Sequence, residues 1–483
     1  MKVLFVVSEC VPFVKSGGLA DVAGSLPKEM KKLGTDIRVI LPKYQSINEE
    51  YKVKMKKTAE ISVPVGWRNQ YCGIEELQFE GITYYFVDNE YYFFRENLYG
   101  YFDDGERFAY FNRAVLDCLG LIDFFPDIIH CHDWHTGMIL FLLKSQYQAI
   151  ESYKDIRTVF TIHNLKFQGV MPREALQDLF GLSNQYFHID HLEFYGQISF
   201  MKGAIVAADK ITTVSPTYKQ EIQMEHYGER LHGLLLKRKN DLEGIINGID
   251  AALYDPKNDP CLLERYNLEA IERKQENKRY IQEKFGLPTH MNTPIVAMIT
   301  RLTEQKGLDL VRGVFQELMS ENIQMIILGT GDAQFEQFFR EMEWAYPEKC
   351  RAYIGFDEEL AHQLYAGADL FLMPSKFEPC GLGQMIAMKY GAIPVVRETG
   401  GLNDTVQSFN ELTGEGNGFT FSHFNAHDML FTVQKALRFY RNELYWKNIV
   451  RNAMTADFSW AQSAEKYNDL YSEIVSRSES HVF

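Results

Sequence analysis

The sequence predicts an α/β protein built from two doubly wound parallel-sheet domains that face each other with ligand between them. Three observations predict it. Short runs of buried-strand character alternate with helical patterns through both halves of the chain. Polar or glycine-rich motifs recur where successive strands end, which is where ligands bind in an open α/β sheet. At 483 residues the chain also exceeds what one hydrophobic core ordinarily holds.

Composition narrows the partners. With 46% hydrophobic and 24% charged residues the chain has an ordinary soluble, globular make-up. A net charge of −15 disfavours a nucleic-acid duplex or an anionic membrane, because both require a basic face, so any polyphosphate ligand must meet a local cationic cluster. The seven cysteines are scattered without a C-x-x-C pair, as free thiols in a reducing cytoplasm would be. The N-terminus has five apolar residues before the polar pair Ser8-Glu9, too few for a signal-peptide core, and no apolar run approaches the roughly 18 residues of a membrane span. These features predict a cytoplasmic protein, and nothing in them sets the oligomeric state.

Residues 2–8 read as the first strand. The stretch Lys15-Ser16-Gly17-Gly18-Leu19-Ala20-Asp21 then opens an amphipathic helix that closes at Gly34, and residues 37–41 form a second strand. Gly17 and Gly18 let backbone N–H groups approach an anion at a helix N-terminus, although their spacing is not that of dinucleotide enzymes. Thirteen aromatic residues lie between positions 84 and 111, Tyr99 among them. They suit either stacking on sugar rings or the packing of a long insertion. A strand over 127–132 turns through Asp133-Trp134-His135 into a helix from Met138 to Tyr147. His130, His132 and His135 raise the question of a metal, but two are strand residues and no second cluster completes a ligand set. The strand 157–162 delivers His163-Asn164 into a loop, where a histidine can bind a hydroxyl or move a proton. Helix 198–208, strand 211–215 and a helix from Pro216 finish this half, and the turn-rich segment 244–250, containing Asn247, is the expected hinge.

In the second half, strand 294–299 ends in Arg301-Leu302-Thr303-Glu304-Gln305-Lys306-Gly307, with a helix to about Ser320. Strand 324–328 ends in Gly329-Thr330-Gly331, and strand 351–354 in Gly355-Phe356. A short apolar run, 368–373, leads into Pro374-Ser375-Lys376-Phe377-Glu378-Pro379-Cys380-Gly381-Leu382-Gly383 and then a helix. Glu378 is thus an acid held in a strand-to-helix loop, and Pro379 biases its backbone toward an extended form that gives the carboxylate a defined exit. Strand 393–397 ends in Glu398-Thr399-Gly400-Gly401-Leu402. Trp460, Ala464, Tyr467 and Tyr471 then recur at helical spacing.

The motifs K-S-G-G-L, H-D-W-H, T-I-H-N-L, N-G-I-D, R-L-T-E-Q-K-G, F-E-P-C-G-L and T-G-G-L run in this order through almost the whole chain. In this the sequence resembles the bacterial glycogen synthases and plant starch synthases of glycosyltransferase family 5. The resemblance implies two Rossmann-like domains in the GT-B arrangement, residues 1–245 and 246–459, with the active site in the interdomain cleft and a helix over 460–477 returning to the first domain. It implies retaining transfer of glucose from ADP-glucose to the non-reducing 4-hydroxyl of an α-1,4-glucan such as glycogen. Glu378, His163, Arg301 and Lys306 become the catalytic candidates. Lys15, Gly17, Gly18, Asp21, Asp133, Asn164 and Asn247 from the first half would contact the nucleotide sugar, with Phe356, Cys380, Gly381, Leu382, Thr399, Gly400 and Gly401 from the second. Tyr99 and His135 are the acceptor-side candidates.

That chemistry suits these residue types. Breaking the glucose–phosphate bond leaves negative charge on the diphosphate and positive character at the anomeric carbon. Arg301 and Lys306, five apart across a turn, bring two cations to one diphosphate, and a carboxylate at Glu378 stabilises the developing positive charge. No two aspartates are separated by a single residue, as a metal-holding Asp-x-Asp requires. Neither a metal nor pyridoxal phosphate is therefore expected. The alternatives are an α-glucan phosphorylase, whose pyridoxal-lysine motif is missing, and an inactive glucan-binding protein, which the intact charged motifs disfavour. One departure stands out: Gly383 occupies a position where the family often has Thr.

Overall fold

The computed structural model describes residues 1–479, which divide into two compact units: Met1–Gly248 together with the segment from Trp460, and Ile249–Ser459. In the first unit, β1 (Lys2–Val6), β2 (Asp36–Pro42), β3 (Lys56–Val65), β4 (Arg68–Phe79), β5 (Ile82–Asp88), β6 (Ile128–His132) and β7 (Arg157–Ile162) precede three very short strands. These are β8 (Val170–Met171), β9 (Glu193–Phe194) and β10 (Gln197–Ser199), and β11 (Lys210–Thr213) and β12 (Leu242–Gly244) follow them. The main sheet runs β12-β11-β7-β6-β1-β2-β5-β4-β3. It is parallel from β12 to β5, and β4 and β3 extend it antiparallel. β8, β10 and β9 form a separate antiparallel sheet.

The central strands are buried along almost their whole length, as strands covered on both faces are, and β1 is apolar after Lys2. Val3, Leu4, Phe5 and Val6 of β1 are fully buried. Helices Gly18–Lys32, Asp104–Cys118, Trp134–Leu142 and Phe200–Ala207 bury apolar stripes. The helix Trp460–Glu479 packs against Gly18–Lys32 and buries Trp460, Ala464, Tyr467 and Tyr471, the four residues at helical spacing.

The second unit is a six-stranded, wholly parallel sheet, β15-β14-β13-β16-β17-β18. Its strands are β13 (Ile295–Ile299), β14 (Gln324–Gly329), β15 (Cys350–Ile354), β16 (Leu370–Met373), β17 (Ile393–Arg397) and β18 (Phe419–Phe421).

Several elements differ from the sequence reading. The helix after β6 starts at Trp134 rather than Met138 and passes into a π-turn over Leu143–Tyr147. The helix expected to reach Ser320 breaks at Val314 into Leu308–Gly313 and Phe315–Ser320. The aromatic segment serves mostly as core: Tyr84, Tyr85, Phe86, Tyr92, Phe93, Phe108, Tyr110 and Phe111 are buried, while Tyr91, Phe94 and Phe102 are exposed.

Candidate active site

Each sheet has one place where strand order reverses. In the second unit β13 and β16 are neighbours although β14 and β15 lie between them in sequence, so the loops leaving β13 and β16 emerge side by side. The β13 loop carries Arg301 and Lys306, and the β16 loop carries Glu378. Lys306 Nζ donates to Glu378 Oε2 at 2.6 Å, and Ser375 Oγ donates to the same oxygen at 2.9 Å. Glu378 is only 6% exposed. The two cations are therefore not equivalent: Lys306 is paired with Glu378, whereas the exposed Arg301 side chain has no hydrogen bond or ion pair among the described residues.

Glycines press this loop into shape. Gly307 has φ +72°, and a Cβ there would lie 1.9 Å from Pro374 O. At Gly400, with φ +45°, a Cβ would lie 1.9 Å from Glu378 O. Any side chain at either position collides with backbone, and the left-handed φ disfavours one independently. Gly401 N donates to Glu378 O at 3.1 Å, which fixes the backbone beneath the carboxylate. Thr399 precedes the helix Gly400–Thr405 as its cap residue, Cys380 is buried, and Gly381 has φ +73°. Leu382 precedes the helix Gly383–Lys389, and Phe356 is 77% exposed beyond β15. At Gly383 a Cβ would stand 3.1 Å from the Phe371 ring, so a threonine there requires that ring to give way.

In the first unit order reverses between β1 and β6. The β6 loop turns at Asp133, which holds φ +55°, unusual for a residue with a Cβ. Its Oδ1 accepts the His163 N–H at 2.8 Å and the Asn164 N–H at 3.4 Å, tying the β6 loop to the β7 loop. Burial pushes the Asp133 carboxyl up to about 7 against those two N–H groups. His163 Nε2 lies 2.9 Å from His132 Nδ1, and burial lowers His163 to about 3. A neutral ring, able to give or take one hydrogen bond with a hydroxyl, is the form this environment favours.

The histidines of the H-C-H-D-W-H stretch do not converge on a point. His130 lies 2.6 Å from Tyr471 OH and 2.6 Å from Thr161 Oγ1, His132 faces His163, and His135 stacks between Tyr99 (4.4 Å) and Trp134 (4.2 Å). Tyr99 turns its hydroxyl inward to Ser8 Oγ at 2.8 Å. Of the two acceptor-side candidates, His135 is 9% exposed and Tyr99 is half-buried. Asn247 is buried, with an Oδ1 that has no partner among the described residues.

At the β1 end, Lys15 Nζ pairs with Asp21 Oδ1 at 2.8 Å, and Gly17 precedes the helix that starts at Gly18. Sequence reasoning missed Glu9. Its carboxylate accepts the Ser16 N–H at 2.5 Å, and burial pushes it up to about 7. The glycine turn thus already has an internal acid beside it. Ser375 was missed as well, and His132 was read only in connection with a metal. The available signal was an acid or histidine at the carboxyl end of a buried strand, which Glu9 and His132 both satisfy.

Among the described residues one further group has metal-compatible atoms close together: Asp259, Cys261 and His362. The Asp259 carboxylate is already bonded there to His362 Nδ1 at 2.7 Å and Tyr390 OH at 2.5 Å.

Two doubly wound α/β units, one with a carboxylate–lysine pair and an unpaired arginine where its sheet order reverses, are the architecture of a two-domain α/β enzyme. Comparisons with known proteins specify the family. The starch synthase catalytic domain model matches residues 2–237, and that of glycosyl transferases group 1 matches residues 280–452. The glycogen synthase of Anoxybacillus flavithermus is 65% identical over 482 residues, covering 100% of both chains. That of Geobacillus stearothermophilus is 63% identical over 479 residues, 99% of each. The catalytic domain of starch synthase IV from Arabidopsis thaliana, solved with ADP and acarbose, matches with a TM-score of 0.92 at 34% identity, over 98% of this chain and 99% of that one. Sucrose-phosphate synthase from Thermosynechococcus elongatus, 16% identical with a TM-score of 0.63 over 99% of each chain, shares the fold. The chain belongs to the glycogen and starch synthase family and is a glucosyltransferase.

Proposed function

We propose that the protein transfers glucose from ADP-glucose to the non-reducing 4-hydroxyl of an α-1,4-glucan, with retention at the anomeric carbon and without a divalent metal or other cofactor. The observation that carries this reading is the Glu378–Lys306 pair at 2.6 Å beside the unpaired Arg301. Arg301 presents a planar fork to diphosphate oxygens, and Lys306 a compact charge, so the negative charge of the leaving group is met by side chains. Glu378 supplies the negative charge that offsets positive character at the anomeric carbon, and its backbone is held by the glycine motif around Gly400. His163, neutral in its buried setting, takes a hydroxyl of the donor sugar. Asp133 acts through the backbone of His163 and Asn164 and is a positioning residue. Lys15, Gly17, Gly18, Asp21 and Asn247 are assigned to the donor from the first unit. Phe356, Cys380, Gly381, Leu382 and Thr399 are assigned to it from the second.

ADP-glucose is the donor supported by the ADP in the Arabidopsis starch synthase IV structure and by the glycogen synthases at 65% and 63% identity. Among the described residues no helix is long and apolar enough to cross a membrane, and the scattered cysteines are free thiols. The cytoplasmic location proposed for the protein is supported by its likeness to bacterial glycogen synthases.

The test is nucleotide release with glycogen as acceptor. Higher kcat/KM with ADP-glucose than with UDP-glucose is expected, unchanged by exhaustive EDTA. A preference for UDP-glucose overturns the donor assignment, and activity lost to EDTA and restored by Mg²⁺ or Mn²⁺ overturns the metal-free mechanism.

A further inference from the structure

His163 can offer the donor sugar one ring nitrogen, and the strand beside it decides which. β6 and β7 are parallel neighbours in a register that sets His132, the last residue of β6, opposite Thr161, two residues before His163. His132 Nδ1 and His163 Nε2 lie 2.9 Å apart, with ring centroids at 5.2 Å. Two ring nitrogens this close share one proton, because two bare nitrogens repel and two N–H groups collide. Burial lowers both imidazoles, so both are neutral. Each ring therefore carries a single proton, and one of these lies between the rings. His163 Nε2 is spent on this contact. Its Nδ1 makes no hydrogen bond among the described residues and is not enclosed as the buried His132 Nε2 is.

His132 has little freedom to turn. Its ring centroid stands 4.1 Å from that of Phe5 and 4.1 Å from that of His130, its backbone N–H donates to Thr136 Oγ1 at 2.7 Å, and its Nε2 is buried without a partner among the described residues. That last atom makes the pair a dead end for protons. A proton taken up at His163 Nδ1 and passed inward would leave His132 doubly protonated inside the sheet. One given up at Nδ1 and replaced from His132 would leave an imidazolate there. No described residue at His132 Nε2 can take the first proton or refill the second, so the pair keeps one tautomer instead of relaying charge.

The two residues that hold His163 are consecutive. Asp133 Oδ1 accepts the His163 backbone N–H at 2.8 Å and sets the main chain, while His132 holds the ring. The bond from Asp133 alone would leave the ring free to turn about its side-chain torsions and to present either nitrogen. A free ring would be ordered only as the sugar binds, at an entropy cost that the contact with His132 has already removed.

We propose that His132 is a positioning residue, whose Nδ1 holds the His163 ring in one orientation and one tautomer so that His163 Nδ1 alone meets a hydroxyl of the donor sugar. The proposal rests on the donor-sugar reading of His163 above. The variants are His132→Phe, a flat ring without nitrogen, and His132→Asn, whose amide reaches the place of Nδ1 and can give or accept a hydrogen bond. Glucose transfer to glycogen is measured over a range of ADP-glucose concentrations, beside nitrogen NMR spectra of the histidine-labelled full-length protein, in which His163 is assigned by its absence from His163→Gln. In His132→Phe, kcat/KM for ADP-glucose should fall about tenfold or more with KM for glycogen unchanged, and His132→Asn should recover most of that loss. His163 should show one neutral tautomer in the wild type and a mixture in His132→Phe. A folded His132→Phe with wild-type kcat/KM overturns the proposal, as does a His163 that keeps one tautomer without His132, or a His132→Asn no better than His132→Phe. If the wild-type protein transfers no glucose from ADP-glucose, the functional reading fails. A mixture of tautomers in His132→Phe would then still support the positioning of His163 by His132, and a single tautomer would overturn it.

Discussion

The loops after β6 and β16 occupy equivalent places, each leaving a strand beside the reversal of sheet order in its unit, yet they are built by opposite means. The β16 loop and the β13 loop beside it carry charge chemistry on a backbone fixed by neighbouring glycines: buried Glu378 is paired with Lys306, exposed Arg301 has no partner among the described residues, and Gly307 and Gly400 leave no room for a side chain. The β6 loop, with β6 itself and the neighbouring loops after β1 and β7, instead hides its titratable groups. Glu9 and Asp133 are pushed up to about 7, His135 and His163 are lowered to about 3, and His130 and His132 lie well below their usual value, all chiefly through burial. One region fixes charged groups by backbone geometry, and the other fixes neutral groups by desolvation. Electrostatic stabilisation of a diphosphate requires the former, and hydroxyl recognition the latter.

If backbone geometry fixes the β16 loop, Gly400→Ala should be the most damaging small change in that unit. Its Cβ would lie 1.9 Å from Glu378 O at a φ of +45°, so the loop must move or the helix Gly400–Thr405 must shift. A loss of roughly 3 kcal/mol or more is expected from backbone strain and collision together, together with loss of activity. A variant with wild-type urea stability would break this side of the comparison.

If desolvation fixes the β6 region, acid should weaken it selectively. Below pH 6.5 the unfolded chain protonates four histidines that the folded unit keeps neutral, so stability is lost as pH falls. Glu9 and Asp133 oppose this, because from about pH 7 down to their ordinary values near 4 they hold protons in the folded form only. Between pH 5 and 6 the balance is four protons against two, a loss of up to roughly 3 kcal/mol per pH unit. In the second unit, Lys274 is lowered by burial to about 7 and Asp259 lies below its usual range, so neither titrates within that window. Hydrogen exchange should show β6 and β7 losing protection between pH 6 and 5 while β13 and β16 do not. Equal losses in both sheets would contradict the contrast.

A smaller effect sharpens the role of the terminal helix. Tyr471→Phe removes the hydroxyl 2.6 Å from His130 Nδ1 and leaves a buried ring nitrogen unpaired. A loss of about 1–3 kcal/mol is expected, read as a lower thermal midpoint, with kcat changed less than twofold.

Much of the second unit's site was legible because its elements announce themselves locally. Arg301, Lys306, Glu378, Gly400 and Gly401 each sit where an apolar strand run ends, and β17 falls on the residues expected, Ile393–Arg397. The first unit was harder to read. Nothing local indicates that Asp133 bonds the backbone of His163 thirty residues away, that Glu9 folds back onto Ser16, or that Tyr471 reaches His130 across the chain. These are products of tertiary packing. The antiparallel β3 and β4 and the small sheet of β8, β9 and β10 also went unread, since β3 alternates exposed and covered residues at the sheet edge and β8–β10 span two or three residues each. Trp134 begins its helix earlier than expected because Asp133, at φ +55°, ends the strand in one residue.

The central claim is that the negative charge of Glu378, held against Lys306, stabilises the transition state of glucose transfer. Glu378→Gln keeps the size and the hydrogen-bonding oxygen of the side chain and removes only the charge. Measured with saturating ADP-glucose and glycogen, its kcat should fall by roughly 2–4 kcal/mol of transition-state stabilisation, about 30- to 1,000-fold, with both KM values within a few-fold of wild type and the thermal midpoint little changed. A folded variant that turns over within about twofold of wild type would contradict the account.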